Sequence, residues 1–454
     1  NQIGGFVKAN IGYLARLNYG FADRYYITGS YRRDGASVFG ADNKWGNFAA
    51  AGLAWKVTEE AFLKPVEMLN SLKLKVSYGR NGNQGLGPYG TLSTINNGST
   101  GGIRYEFGNS NILYGITAGA LGNASLGWES TSSWNTGFES AWLGNRIFFD
   151  ADLYFSRTTD QIFDRNIPVM TGFKQMKSTM GEVGNTGVEL TLRTVNVENR
   201  DLTWTTGFTF WLNRNKLIHL YGDDIDGDGK EDDDIANSRF IGKSLGAIYG
   251  WVQDGIVQED DAAYIQMTSA TPGVPKYQDR NEDGKIDDED REILGYDKPN
   301  FKLNMSNTIS YKNWDLYAML TGTFGGGGYY LKNNANAYMT SGSGLFNSNS
   351  IYVTWWTPEN KSNVYPSATF AGDGRFQGLQ SRTFVRLQDV TLSYTFREAW
   401  VRNLKIQNLK LFLSGKNLFT VTGWDGGDPE VGNGVRADDY PVMTTFTLGA
   451  NISF

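Results

Sequence analysis

The last nine residues constrain the fold more than any other part of the chain. Phe446, Leu448, Ala450, Ile452 and Phe454 are apolar, and Thr447, Gly449, Asn451 and Ser453 between them are small or polar. Successive side chains of a strand point to opposite faces, so this is a strand with one apolar and one polar face, long enough to cross a bilayer when tilted. A half-buried strand of a soluble sandwich has the same period, so the decision rests on recurrence. Val7, Ala9, Ile11, Tyr13, Ala15, Leu17 and Tyr19 share one face of a first strand. Ile147, Phe149, Ala151, Leu153 and Phe155 repeat the pattern, as do Leu202 to Leu212, Val390 to Phe396 and Leu409 to Leu413. Aromatic residues such as Trp142, Tyr311, Trp314 and Phe454 sit at strand ends. Long strands with one apolar face and aromatic ends predict an all-β fold, an antiparallel transmembrane β-barrel, in place of a sandwich of short strands.

Composition agrees and removes other classes. Glycine is abundant (56 of 454 residues), proline is scarce (10) and aromatics make up 14%, which argues against disorder. Mean hydropathy is −0.40 and no run of eighteen apolar residues exists, which excludes helical spans but not alternating strands. One histidine and no cysteine leave no His-cluster metal site, no thiol chemistry and little room for a histidine-dependent enzyme, so no enzymatic activity is expected. A net charge of −6 offers no basic face to nucleic acid. No basic segment followed by an apolar one opens the chain, so a processed, truncated or unexported chain is expected.

The connections carry a parity argument. Short ones fall at 20–23, 59–70, 143–146, 197–201, 311–314 and 397–407. Long ones fall at 34–44, 83–131, 158–184, 215–299, 325–381 and 421–440. Short and long alternate, as periplasmic turns and extracellular loops do in outer-membrane barrels. The first strand ends in a short turn and the last follows a long loop, so both run toward the periplasm. The count is therefore odd, and thirteen strands are predicted, with 248–256 read as part of an extracellular excursion. Bacterial single-chain barrels have even counts, so the chain is expected to form the C-terminal portion of a barrel.

Several segments, in order, resemble the SusC-like TonB-dependent outer-membrane transporters. They are Arg32-Arg33-Asp34-Gly35-Ala36-Ser37 followed by Phe39-Gly40, Leu72 to Gly79 with Gly82-Asn83-Gln84, Asn185 to Leu190, and Tyr311 to Leu316. Gly415-Lys416-Asn417-Leu418-Phe419, Asp428-Pro429-Glu430 and the terminal Phe454 complete the series. Val38 stands where a basic residue is expected. The resemblance implies a 22-stranded barrel around an N-terminal plug, of which this chain would supply about 13 strands. It also implies energy coupling through TonB, a SusD-like surface lipoprotein as partner, outer-membrane lipid around the wall, and a glycan or peptide as cargo. A passive pore without plug or coupling is the alternative, and it requires a complete even-stranded barrel in this length.

Two acidic loops have the spacing of calcium sites. In the loop Asp279–Asp290 oxygen ligands fall at Asp279, Asn281, Asp283 and Asp287, with Lys285 offering its backbone carbonyl, Gly284 at the sharp turn and Asp290 at the twelfth position. That position more usually holds a glutamate. Calcium here would pin a long loop; the bland alternative is a solvated acidic turn. A second loop offers Asp224, Asp226 and Asp228 with Gly229 at the sixth position, but Ile235 occupies the twelfth, so Asp232, Asp233 or Asp234 would have to substitute. Trp355, Trp356 and Trp424 lie in long loops, where they stack on sugar faces, meet a partner or staple a loop to the rim. His219 beside Asp223 and Asp224 reads as structural, and Gly325 to Gly328 as a flexible stretch.

Overall fold

A computed structural model describes residues 7–97, 104–106, 112–173, 175–329, 354–370, 372–376, 378–397, 399–403, 405–426, 428–430 and 442–454. Thirteen long strands make one antiparallel sheet whose order follows the sequence without a crossover. They are β1 (Asn10–Phe21), β2 (Tyr25–Ala36), β3 (Trp45–Lys56), β4 (Leu69–Asn83), β5 (Glu129–Trp142), β6 (Ile147–Asn166) and β7 (Gln175–Glu198). β8 (Leu202–His219), β9 (Phe301–Tyr311), β10 (Trp314–Phe324), β11 (Phe384–Phe396), β12 (Asn408–Thr422) and β13 (Thr445–Ser453) complete it. On the short-turn side 57–68 is longer than 37–44 and 167–174 on the long-loop side, against the expected alternation, but the count of thirteen is as the sequence predicts. So is the exclusion of 248–256: Ala247–Trp251 and Gln253–Ile256 pair in separate two-stranded sheets with Arg291–Tyr296 and Pro275–Tyr277.

The short turns reverse the chain with left-handed residues. Ala22 and Asp23, with φ of 52° and 56°, join β1 to β2, which suits the twist of a tight hairpin. Asn145 (φ 65°) follows Gly144 in the β5–β6 turn, and small polar asparagine tolerates that region better than a branched residue.

Contact clustering divides the chain into two compact units. The first comprises Asn1–Leu190 and Asn213–Leu245, and the second Thr191–Leu212 and Gly246–Phe454. In the first, Leu53 opposes Val76 on an exposed apolar face, while Lys75 on the other face donates to Asp152 at 2.9 Å and to Glu139 at 3.3 Å. In the second, Leu392, Leu411 and Leu413 are exposed, and the opposite face carries Lys410 to Asp315 at 2.8 Å and the Thr391–Ser414 hydroxyl pair at 3.0 Å. Water penalises an apolar face of that extent, whereas lipid accommodates it; the charged face is the lumen side.

Aromatic pairs mark both borders of the apolar band. On the first unit Tyr25 stacks on Trp55 near the short turns, and Tyr13 stacks on Trp45, with Arg33 over the same ring, near the long loops. From Trp45 to Trp55 along β3 is about 33 Å at the usual rise, or about 25 Å of membrane depth at the usual tilt. That matches the height of an outer-membrane apolar band.

The structure departs from the sequence reading at 158–184. β6 and β7 remain paired there, leaving 167–174 as the connection. The reason is packing: Val183 joins Leu217, Leu220 and Tyr221 in a buried cluster, with Phe163 and Leu245 against it. Lys177 to Asp164 at 2.9 Å and Gln175 to Asn166 at 3.0 Å tie the ribbon's edges. Val38 also finds its reason here. It is buried with Ala36, Phe39, Leu86 and Leu126, where a charged side chain would go unpaired.

The two faces are separable by mutation. Leu413→Arg places a charge in lipid near mid-strand and should lower folding stability by about 2–4 kcal/mol. Asn451→Arg, on the polar face of β13, should cost less than about 1 kcal/mol. Folding titrations in lipid vesicles measure both, and equal costs would reverse the face assignment.

Candidate functional site

The long-loop side carries the chemistry. In the second unit three loops share one core. Ile256 and Val257 are fully buried, and the Ile256 amide donates to Asn363 Oδ1 at 3.0 Å. Trp356 Nε1 donates to Gln258 Oε1 at 2.8 Å, and the Ser367 amide donates to the Gly273 carbonyl at 2.7 Å. The Tyr277 hydroxyl donates to Asp373 Oδ2 at 2.7 Å, and burial followed by that carboxylate pushes the phenol pKa well up. Tyr365 reaches the third loop by donating to Asp425 Oδ2 at 2.9 Å. These loops are packed around Ile256, Val257 and Trp356 and tied by polar bonds, most of them part-buried.

Trp356 and Trp424 are part of that packing, at 7% and 5% exposure. Trp424 lies over Gly328, where a Cβ would come within 2.7 Å of its ring. In this arrangement both rings staple loops and neither offers a free face to a sugar; Trp355 alone of the three is half-exposed.

The loop Asp279–Asp290 turns on bonds to its own amides, and no three of its carboxylates come within 4.8 Å of one another. Asp279 accepts from the amides of Asp283 (Oδ1, 3.2 Å) and Gly284 (Oδ2, 2.8 Å). Asn281 Oδ1 accepts from Asp283 and Asp283 Oδ1 from Lys285. Gly284 has φ of 82°, open to glycine at no cost. Asp287 Oδ1 accepts from Glu289. Asp290, at 0% exposure, accepts from the Arg280 amide at 2.7 Å and the Asp287 amide at 2.8 Å. Its two oxygens therefore close the loop from inside. Trp251 Nε1 donates to the Asp287 carbonyl, and Arg291 lies over the Trp251 and Tyr249 rings.

In the first unit Asp224, Asp226 and Asp228 each place one carboxylate oxygen within 4.8 Å of the others, all exposed. Asp224 accepts from the amides of Gly227 and Gly229, and Gly229 repeats the φ of 82° seen at Gly284. Of the three acids considered for the twelfth position, Asp232 closes on the amide of the loop's own second residue, as Asp290 does in the first loop, and the other two are engaged elsewhere. Asp232 accepts from Ile225, Asp233 from Ile241, and Asp234 from Asn237, Tyr221 and Arg239. His219 Nδ1 meets Glu231 Oε2 at 2.6 Å. Burial opposes the charge on Glu231, but the amides of Gly222 and Leu220 and the His219 ring outweigh it and hold its pKa low.

The sequence reading assigned no role to Arg386, which is 3% exposed and donates to Asp428 Oδ1 at 2.7 Å. A lone arginine on the polar face of a strand, followed some forty residues later by Asp-Pro-Glu, is a signal that period alone does not convey.

The model of the TonB-dependent receptor-like β-barrel family matches residues 2–418. TonB-dependent receptor P26 of Formosa agariphila is 32% identical over 97% of this chain and 46% of its own length. TonB-dependent receptor SusC of Bacteroides thetaiotaomicron is 31% identical over 98% of this chain and 44% of its own. Among solved structures, the RagAB peptide importer in its open-open state aligns with 98% of this chain and 47% of that chain, with TM-score 0.78 and 25% identity. The chain thus spans about half the length of these relatives.

Removing the Asp290 carboxylate should leave the part-buried Arg280 and Asp287 amides without these acceptors, at up to about 1–3 kcal/mol each. Asp290→Ala should accordingly raise hydrogen exchange across 279–291 while β9 and β10 keep their protection. Unchanged exchange in the loop would show that other contacts close it.

Proposed function

The chain belongs to the TonB-dependent receptor-like family of outer-membrane β-barrels, and on that premise we propose that it is a wall portion of an active importer of large nutrients, oligosaccharides or peptides. In this reading the remaining length of the whole protein supplies the other strands of a 22-stranded barrel, the plug and the segment that contacts TonB. A SusD-like surface lipoprotein delivers cargo to the long-loop side. The observation that carries the reading is the match across 98% of the chain to both SusC and the RagAB importer fold. The packed loop body supports it too, since a delivery partner needs a firm surface at the mouth.

Purification of the intact protein from its native outer membrane after mild cross-linking tests this reading. A polypeptide about twice the mass of this chain, joined to a lipoprotein, is expected, and so is cargo uptake that stops when the proton gradient is collapsed. A chain of 50.4 kDa that conducts ions by itself would favour the passive pore and sink the importer.

We further propose that Asp279, Asn281, Asp283, Asp287, Asp290 and the Lys285 carbonyl hold a structural calcium ion, and that Asp224, Asp226 and Asp228 offer a second, weaker site. Support comes from the ligand spacing of the first loop, from the three carboxylate oxygens gathered at the second, and from the glycine geometry common to both. Asp290 is already bound to two amides, so it would ligate only by sharing an oxygen, and water would complete the shell. The ion's task is to hold the loop, since binding to the folded form alone stabilises it by about 2.7 kcal/mol at a hundredfold excess over Kd. Chelation of the purified protein should speed proteolysis within 279–290, and Asp279→Ala should abolish the protection that added calcium restores. Equal proteolysis with and without calcium would remove the first site.

A further inference from the structure

The lipid face of β1 to β3 carries a single charge. On β2 the odd-numbered residues share a face, and Ile27 among them stands opposite Leu53 of the lipid side. The same register adds Ile11, Tyr13 and Leu17 of β1, and Trp45 and Asn47 of β3. Along this face, from 11 to 21, 25 to 35 and 45 to 55, every residue but Arg33 is uncharged. The adjacent Arg32 and Asp34 face the other way and bond to each other at 2.6 Å. Among the described residues no carboxylate pairs with Arg33, whose guanidinium lies over the Trp45 ring, 5.1 Å from its centroid. Arg157 of β6, which alternates with the exposed Leu153 and Phe155, is by contrast neutralised by Glu182.

Depth makes that charge informative. Arg33 stands opposite Asn47, two residues along β3 from Trp45, so its Cα lies about 5 Å inside the border that Trp45 marks. A cation at that depth must reach the headgroups or meet a counter-charge. Gly35 shapes the place, since a Cβ there would come within 3.0 Å of the Trp45 ring. The ring therefore lies over β2, and Tyr13 stacks with it at 6.3 Å between centroids and 17° between planes. Beside Arg33, Asn47 Oδ1 accepts from the Tyr31 hydroxyl at 2.9 Å, which leaves its Nδ2 free to donate outward. Residues opposite one another on a sheet face are in reach of the same ligand. A guanidinium fork and an amide N–H beside an aromatic pair, with no acid on the face, suit a phosphate.

We propose that Arg33 and Asn47, flanked by Tyr13 and Trp45, bind the phosphorylated headgroup of one outer-leaflet lipid, whose acyl chains lie along the apolar face below. Two features identify the occupant as a lipid. The face continues without a break from Arg33 into the bilayer-covered wall, where Leu17 and Leu53 are 68% and 55% exposed. The charge is complementary as well, because an anionic headgroup supplies the counter-ion that the protein withholds from Arg33 and gives to Arg157.

The test uses the full-length protein in phosphate-free maltoside micelles, titrated with lipid A that carries its phosphates or has been stripped of them. Native mass spectrometry counts the lipid retained. Wild-type protein should hold the phosphorylated lipid about tenfold more tightly than the stripped one, as a hydrogen-bonded charge pair does. Arg33→Gln should abolish that preference, Arg33→Lys should keep part of it, and Asn47→Leu should weaken it. Arg33→Gln takes a charge off the lipid face, so it should insert at least as well as the wild type, and binding of the stripped lipid should not change. Equal affinity of the wild type for the two lipids, or a preference that survives Arg33→Gln, would overturn the proposal. Inorganic phosphate binding as tightly as the phosphorylated lipid would assign the site to a soluble anion and overturn it too.

Discussion

Lipid offers no hydrogen bonds, so a strand that crosses a bilayer must find every backbone partner in its neighbours. The thirteen-strand ladder meets that requirement for its eleven inner strands with a sequential order in which each hairpin pairs adjacent strands, while β1 and β13 each have one partner strand among the described residues. The rest of the molecule follows from the ladder. Because side chains alternate along it, one face must suit lipid and the other water, and the chain cannot slip its register by one residue without exchanging the two. Leu53 opposite Val76 and Lys75 beside Asp152 are the two sides of one constraint.

Above the membrane the constraint relaxes and another replaces it. Water competes for backbone hydrogen bonds, so long connections hold shape only where they bury apolar groups or satisfy buried polar ones. The Val183–Leu217–Leu220–Tyr221 cluster and the Ile256–Val257 core do this on separate units. Their side chains come from positions far apart in sequence. A loop in this protein is therefore a small folded body, and its function depends on which segments share a core.

The same division explains what the sequence reveals. Period two is a local signal, so the strand count, the exclusion of 248–256 and the lipid face are legible from Phe446 to Phe454 and its repeats. The calcium-type turn at Asp279–Asp290 is legible as well, because its spacing is local and its amide bonds close within twelve residues. Long-range packing is not. Nothing near Trp356 announces Gln258 as its partner, and nothing near Phe163 announces Leu217, so the sequence leaves the tryptophans between stacking and stapling and the β6–β7 ribbon reads as a loop. The second acidic loop falls between these cases. Its turn and the Asp232–Ile225 bond are local, but the fate of Asp233 and Asp234 depends on Ile241 and Arg239.

Charges on the lumen side come in two physical kinds. Lys75 and Asp152 are each about a third exposed, and solvent screens such pairs until they contribute little to stability. Their value is to keep the wall wetted. Arg386 and Asp428, with side chains 4% and 2% exposed, sit where screening fails, so each would be costly without the other. A wet pair tolerates movement of whatever lies against it, because water replaces the lost partner. A dry pair does not. Movement at Arg386 and Asp428 therefore costs more than movement at Lys75 and Asp152.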